Sequence, residues 1–265
     1  MKAKVSAVII TYNEALNLSR TLSQLYWCDE IIVVDSYSTD ETLDICNRYG
    51  CKVFSHPFSG YGEQKRYAID QAAHEWILSL DADEYLTKEL VDELQEELED
   101  TGVYRGYLIP MNLVFRGYEF KYGKENRRYF LRLFNRNWGC MSNTKVHEHI
   151  EVKGPVKNLK NNILHYSYLD IDQYIYKINK YSTLGAAVNI EKCKVKNQAL
   201  IYLSIPFYFI KYYFVERNFL NGKNGFYWSV LSSFYHFVKY IKMQDLKQIR
   251  SNREDKKNMM SVPKN

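Results

Sequence analysis

The sequence contains little of what builds disulfide frameworks, flexible linkers or membrane-spanning helices. Its five cysteines are odd in number and form no CxxC pair, which fits a reducing compartment and argues against a disulfide scaffold. Five prolines leave no proline-rich linker. The apolar stretch at residues 5–10 is short and runs into Asn13 and Glu14, so we expect no signal peptide. These absences favour a cytoplasmic protein with one large domain and an appendage, for which 265 residues are sufficient.

Short apolar runs alternate with helix-like segments in the first part of the chain. The runs cover residues 5–10, 31–34, 51–54 and 76–80. Leucines recur at helical spacing after the first run, and either Asn13 or Asn17 can cap that helix. A strand-helix alternation of this kind predicts an α/β fold with a mainly parallel sheet and right-handed crossovers.

Polar residues follow three of these runs and therefore meet at one edge of the predicted sheet. They lie at residues 11–14, 35–40 and 81–83. Ligands of open α/β sheets bind at this edge. Alternate residues of an extended segment point the same way, so we expect Asp81 and Asp83 to face one ligand. Two close carboxylates repel each other unless a cation joins them, and hard divalent ions prefer oxygen ligands. A solvated acidic turn is the simpler interpretation of one such pair, but three polar strand ends together indicate a site.

Several motifs make the chain resemble the family-2 inverting glycosyltransferases with the GT-A fold. They are TYNE after the first run, DSYSTDET after the second, and LDADE after the fourth. The segment at residues 60–68 and Val146-His147-Glu148 narrow the resemblance to the bacterial β-1,4-glucosyltransferases of the lipopolysaccharide core. The pattern Pro206, Asn221-Gly222, Gly225 extends it more loosely through the rest of the chain. The resemblance implies that a hexose moves from a nucleotide sugar, with UDP favoured, to a lipid-linked or envelope saccharide.

The resemblance also implies roles for the residues at the strand ends. A bound Mg²⁺ or Mn²⁺ would bridge the leaving diphosphate, with Asp83 as its direct ligand. Asp81 would contact the ribose or a metal-bound water and is the second candidate metal ligand. The candidate nucleotide-binding residues are Thr11, Tyr12, Glu14, Asp35, Lys65 and Asp81, with Arg66 as a further cation near the diphosphate. A solvated helix face is an equally good interpretation of Lys65 and Arg66.

An inverting displacement needs a base that takes the proton of the acceptor hydroxyl. By resemblance this role falls to Glu148, and Glu84 is the weaker alternative. His147 and His149 flank Glu148. Since no third ligand with metal-site spacing follows them, we interpret them as hydrogen-bonding or acceptor-contacting residues.

Charge is distributed unevenly along the chain. Residues 1–100 carry a net charge of −12, residues 101–238 carry +12 and residues 239–265 carry +5. An acidic half that binds a metal and a nucleotide, and a basic half that meets an anionic acceptor, would explain this division. No helix-turn-helix, zinc-finger or RNP-like motif accompanies the basic half, so we expect no nucleic-acid partner.

The last third of the chain is rich in apolar and aromatic residues. Charged residues and Pro206 interrupt the stretch at residues 199–219, and a second apolar pattern covers residues 226–241. A spanning helix needs about 20 consecutive apolar residues, so we expect these segments to lie at the inner surface of the cytoplasmic membrane, helped by basic residues at 239–257. Packing on the catalytic domain or on a second subunit is the alternative.

The sequence predicts four regions. They are a nucleotide-sugar-binding part at residues 1–100, an acceptor-binding part at 101–195, amphipathic helices at 196–250 and a disordered basic tail at 251–265. Two other functions stay open: a non-catalytic nucleotide-sugar-binding protein, and a sugar-nucleotide pyrophosphorylase. The second would need a glycine-rich basic loop after the first strand, where this chain has TYNE.

Overall fold

Strands and helices alternate from the start of the chain in the computed structural model, which describes residues 2–142, 149–191 and 198–260. The first elements are β1 (Val5–Thr11), α1 (Ala15–Leu22), β2 (Glu30–Asp35), α2 (Thr42–Arg48), β3 (Lys52–Ser55), α3 (Tyr61–Asp70), β4 (Trp76–Asp81), β5 (Glu84–Leu86) and α4 (Lys88–Glu99). The next are β6 (Gly106–Phe115), β7 (Tyr118–Glu119), β8 (Arg128–Asn135), β9 (Gly139–Met141), β10 (Ile150–Val152), β11 (Val156–Asn158) and β12 (Ile163–Tyr168). The last are α5 (Ile171–Glu191), α6 (Gln198–Tyr202), α7 (Ser204–Ile210), a π-helical segment (Lys211–Val215), a 3-10 segment (Asn218–Asn221) and α8 (Gly222–Met260).

The chain forms two compact units. The first comprises Met1–Val114 and Glu125–Ser167, and the second comprises Phe115–Lys124 and Tyr168–Asn265. The four-region division predicted from the sequence stays a prediction. Helix α8 includes residues 251–260, which are the first part of the predicted disordered tail.

The central sheet confirms the predicted α/β fold and is mixed in direction. Its strands run in the order β3-β2-β1-β4-β8-β6-β12-β5. The first four are parallel, whereas β8 is antiparallel to both β4 and β6. The order brings β2, β1 and β4 side by side, so the three polar strand ends do lie at one edge.

Helices cover both faces of this sheet because successive strand residues point to opposite faces. On one face Ile9 and Leu78 pack with Leu22 of α1 and Leu94 of α4. On the other face Val8, Ile32 and Ile77 pack with Ala68 and Ile69 of α3. These side chains are almost fully buried, which fixes the strand ends from both sides.

The predicted asparagine cap of α1 is wrong. The helix follows Glu14, whose side chain does not cap it, and the backbone N–H of Ala15 donates to the Asp40 carboxylate at 3.2 Å. Asn17 lies inside the helix, and Asn13 has a left-handed backbone with φ 54°. The Asn13 side chain instead accepts a hydrogen bond from the backbone N–H of Thr39, 2.8 Å away.

An aromatic cluster and one asparagine organise the second unit. Phe115, Tyr168, Tyr174 and Trp228 pack with ring centroids 4.6–6.3 Å apart. The Asn221 side chain accepts hydrogen bonds from the backbone N–H groups at 121 and 122 and donates to the carbonyl of residue 122. Within the described ranges, no helix carries an apolar stretch long enough to cross a membrane.

Candidate functional site

The loops that follow β1 and β2 are tied to each other by hydrogen bonds. The backbone N–H of Asn13 donates to the hydroxyl of Ser38 at 2.8 Å, and that of Glu14 donates to the hydroxyl of Thr42 at 2.9 Å. Asn13 and Tyr37 have positive φ angles of 54° and 62°, a conformation that non-glycine residues adopt mainly where surrounding contacts impose it. The two loops therefore form one preformed rim.

Four of the six predicted nucleotide-binding residues, Thr11, Tyr12, Glu14 and Asp35, belong to this rim but differ in exposure. Asp35 is fully buried, and its carboxylate accepts hydrogen bonds from the backbone N–H and the hydroxyl of Ser38. Thr11 is buried as well, whereas the Tyr12 ring is 58% exposed and offers a stacking face. The Glu14 carboxylate accepts a hydrogen bond from the Asn17 side chain. Asp35 thus shapes the rim, and Tyr12 and Tyr37 are equally exposed aromatic rings on it.

Asp81 lies at the end of β4 between two cations. Its Oδ1 is 2.6 Å from Lys65 Nζ, and its Oδ2 is 3.1 Å from Arg132 Nη2. The same Arg132 nitrogen contacts the carboxylate of Glu84, whose other oxygen accepts the backbone N–H of Asp81. Lys65 comes from α3 and Arg132 from β8, so three elements converge on one strand end. Arg66 is directed elsewhere and donates to the carbonyl of Ser142.

Asp83 belongs to a different pair. The strand ends at Asp81, and Asp83 lies in the turn before β5, so the alternation expected of an extended segment does not apply here. Its Oδ1 is 3.3 Å from Nε2 of His165 on β12. A carboxylate oxygen and an imidazole nitrogen are both donors that bind divalent metals. Within the described part of the chain, no group of three or more metal-binding side chains is assembled.

The surroundings of Asp81, Glu84 and His165 shift their pKa values in different ways. Burial alone would raise the pKa of the Asp81 carboxyl, but Lys65 and Arg132 hold it well below its usual range. Burial raises the pKa of Glu84 to about 7, against the opposing effect of Arg132. Burial alone would lower the pKa of His165, but its hydrogen bond with Asp83 raises it. Asp81 is therefore a fixed anion, and Asp83 and His165 form a hydrogen-bonded pair.

A pocket of about 290 Å³ adjoins this cluster on the side of β8. It is lined by Lys65, Leu108, Tyr129, Phe130, Leu131, Arg132, Met141, His149 and Ile150. Two of the cations that hold Asp81 therefore also face a cavity large enough for part of a ligand.

Of the two predicted candidates for the base, Glu148 and Glu84, only Glu84 is among the residues that the structure describes. Glu148 and its neighbour His147 lie outside the described residues. Glu84 is completely buried and bound to Arg132 and to the backbone of Asp81, which leaves it no approach to an acceptor hydroxyl. His149 contacts the exposed carboxylate of Glu151 at 3.1 Å.

Arg132 and His165 are site residues that sequence reasoning missed. Both come from strands that are antiparallel to their partners, β8 beside β4 and β12 beside β5. Arg128, Phe130 and Arg132 occupy every second position of this stretch. That period of two could have indicated a strand that directs a charged side chain toward the interior. No local pattern indicates which carboxylate such a residue meets.

Comparison with known proteins gives a consistent assignment. Residues 6–146 match the family described as glycosyl transferase family 2. The chain is 32% identical to the lipopolysaccharide core biosynthesis glycosyltransferase LpsC of Rhizobium meliloti over 249 residues, covering 91% of this chain and 92% of that protein. It is 31% identical to an uncharacterized glycosyltransferase of Rickettsia felis over 260 residues, covering 91% and 90%.

Solved structures with a related arrangement include S. aureus TarS. The structure of TarS 1–349 matches with a TM-score of 0.47 and 19% identity, over 92% of this chain and 91% of that one. The same fragment in complex with UDP-GlcNAc matches with a TM-score of 0.37 and 29% identity, over 46% of this chain and 38% of that one.

Proposed function

This chain belongs to glycosyl transferase family 2 and is a glycosyltransferase with a GT-A fold, and from that premise we propose its reaction. It transfers a hexose from a UDP-sugar to a saccharide of the lipopolysaccharide core, with inversion and with the help of a divalent metal. The observation that carries the proposal is the edge of the sheet at which the β1 and β2 loops meet Asp81 and Asp83. The R. meliloti relative, named for lipopolysaccharide core biosynthesis, supports the acceptor class.

The nucleotide would bind along the rim formed by the two loops. Tyr12 would stack on the base, since an exposed aromatic ring offers a flat apolar face with a polar tip. Asp35 would act mainly by holding the rim through Ser38, while Thr11 and Glu14 close the floor. Lys65, already 2.6 Å from Asp81, would add a positive charge near the diphosphate.

Asp83 and His165 fit a divalent metal as donors. Their oxygen and nitrogen atoms lie 3.3 Å apart, and a diphosphate would supply the further oxygens that Mg²⁺ or Mn²⁺ takes from substrates. Once bound, the metal would neutralise charge on the leaving diphosphate. Asp81 is less suited as a direct ligand because both of its oxygens are held by cations, and it would instead orient Lys65 and Arg132.

The displacement forms one bond and breaks one bond at the anomeric carbon. The acceptor oxygen bonds to that carbon, and the bond to the diphosphate oxygen breaks, so that the nucleoside diphosphate leaves with the electron pair. The proton of the acceptor hydroxyl passes to a carboxylate, for which Glu148 is the candidate. Deep burial of Glu84 supports the choice of Glu148 over Glu84.

We place the enzyme at the inner surface of the cytoplasmic membrane because its second unit exposes many large apolar side chains. They include Phe207, Ile210, Phe214, Val215, Phe219 and Phe226. Phe209 and Tyr213 connect several of these rings into one surface, with Lys211, Arg217 and Lys223 in the same stretch of chain. Aromatic and basic residues together suit the headgroup region of an anionic bilayer.

A donor screen by thermal shift tests the proposal. The full chain is melted with UDP-, GDP- and dTDP-sugars in the presence of Mn²⁺, because a ligand that binds only the folded state raises the melting temperature. We expect a UDP-sugar to give the largest shift. Tyr12→Ala should weaken donor binding roughly threefold to tenfold, while Tyr26→Ala, a ring 74% exposed elsewhere in the first unit, should leave it unchanged. Equal shifts for all three nucleotides would contradict the donor assignment.

A further inference from the structure

The pocket beside Asp81 lies on the opposite side of β4 from the nucleotide rim. The rim belongs to β1 and β2, whereas the pocket is built by β6, β8, β9 and β10 with Lys65 of α3. In the sheet, β4 separates β1 from β8. A ligand in this pocket would therefore reach the Asp81 edge from the side that the donor nucleotide leaves open.

The charges that face the pocket are positive. Lys65 and Arg132 line it, and no Asp or Glu is among its lining residues within the described part of the chain. Arg132 uses only one guanidinium nitrogen, Nη2, to contact the carboxylates of Asp81 and Glu84. Its Nε is buried and has no hydrogen-bond partner among the described residues. Because Nε is buried, a ligand in the pocket would meet the remaining guanidinium nitrogen, Nη1, which the carboxylates of Asp81 and Glu84 do not use.

The apolar part of the pocket suits a sugar ring next to that charge. Tyr129 and Phe130 contribute aromatic side chains, and Leu108 and Ile150 contribute aliphatic ones. A volume of about 290 Å³ is at the lower end of the range for small-ligand sites, about 300–1,000 Å³. The space therefore fits one saccharide unit rather than an extended chain.

We propose that this pocket is the acceptor subsite and that Arg132 binds an anionic group of the acceptor saccharide, a phosphate or a carboxylate. The inference rests on the proposed function and adds to it the chemical class of the acceptor. Guanidinium groups bind such oxyanions through paired, charge-assisted hydrogen bonds, and Asp81 keeps both cations in position.

Inorganic phosphate is the probe, and calorimetric titration of the full-length protein is the measurement. Glu84→Gln and the double variant Glu84→Gln/Arg132→Gln form a matched pair, because both remove the buried carboxylate and only the second removes the guanidinium. We expect Glu84→Gln to bind phosphate at least as well as the unmodified protein, since a competing anion is gone. The double variant should bind about tenfold more weakly or worse. Arg128→Gln, on the same strand but paired with Glu125, should change nothing.

A second arm separates the acceptor from the donor as the source of the anion. Phosphate is titrated again with UDP and Mg²⁺ at saturation, and we expect its affinity to change less than twofold. Displacement of phosphate by UDP would assign Arg132 to the donor diphosphate and overturn the inference. Equal phosphate affinity in the matched pair would overturn it too. The UDP affinities measured in the same samples report on the proposed function separately.

Discussion

Replacement of Arg132 by glutamine should destabilise the first unit, most strongly above pH 7. Glu84 is completely buried, and the Arg132 side chain beside it is only 11% exposed. Without the guanidinium, the Glu84 carboxylate must either stay buried as an uncompensated charge or take up a proton. In the unmodified protein burial raises the pKa of Glu84 to about 7 despite Arg132, so loss of the guanidinium should raise that pKa further, and each unit of further rise is worth about 1.4 kcal/mol. Breaking buried ion pairs typically costs about 3–5 kcal/mol, which is the loss we expect well above pH 7.

The pH dependence of this loss has a defined sign. In the variant the folded-state pKa of Glu84 lies above its unfolded value, so folding binds a proton. Because Glu84 of the unmodified protein also takes up a proton below about pH 7, the loss caused by the substitution should be small there and should grow as the pH rises above 7. In a unit of this size, a loss of about 3 kcal/mol corresponds to a fall in melting temperature of about 6–12 °C.

Urea unfolding followed by tryptophan fluorescence measures the effect, because Trp76 is buried in the first unit. The double variant Glu84→Gln/Arg132→Gln should recover most of the stability, since two neutral amides can hydrogen-bond without a buried charge. Arg128→Gln removes a more exposed pair with Glu125 and should cost under about 1 kcal/mol. A single variant as stable as the unmodified protein at pH 9, or a loss that is the same at pH 6 and pH 9, would contradict this prediction.

Three further predictions concern the reaction and its location. Asp83→Ala should abolish transfer while leaving the melting curve nearly unchanged, and near-normal turnover of this variant in EDTA would exclude the metal assignment. Glu148→Gln should lower turnover by about 10²–10⁴-fold and preserve donor affinity; lost affinity with preserved turnover would make Glu148 a binding residue. The double variant Phe207→Asp/Val215→Asp, at side chains 62% and 72% exposed, should reduce sedimentation with anionic liposomes at low salt, whereas Tyr26→Asp should not. If the unmodified protein ignores such liposomes, the apolar surface packs against another protein instead.

The parallel half of the fold could be predicted because its signals are local. Each strand of this half is a short apolar run, and each run buries side chains on both faces, as Ile9 and Val8 do. The polar ends of β1, β2 and β4 then follow from the parallel arrangement alone. The predicted asparagine cap was nevertheless wrong, because Asn13 uses its side chain to join the two loops rather than to cap α1.

The partners of the acidic pair could not be predicted for a physical reason. Whether Asp81 meets Arg132, and Asp83 meets His165, depends on the register of antiparallel strands far away in the chain. Register is set by the hydrophobic pattern of both strands and by turn geometry, so no pattern local to Asp81 or Asp83 reveals their partners. The turn at Asp83 was not predicted either, and it separates two aspartates that an extended strand would have placed on the same face.

The most direct test of the central claim is transfer of labelled hexose from a UDP-sugar to a lipopolysaccharide core preparation, with the anomeric configuration of the product read by NMR. We expect transfer that needs Mg²⁺ or Mn²⁺, yields the inverted anomer and falls sharply in Glu148→Gln. UDP-sugar binding without any transfer would leave a non-catalytic nucleotide-sugar-binding protein, and a product with retained configuration would contradict the single-displacement mechanism.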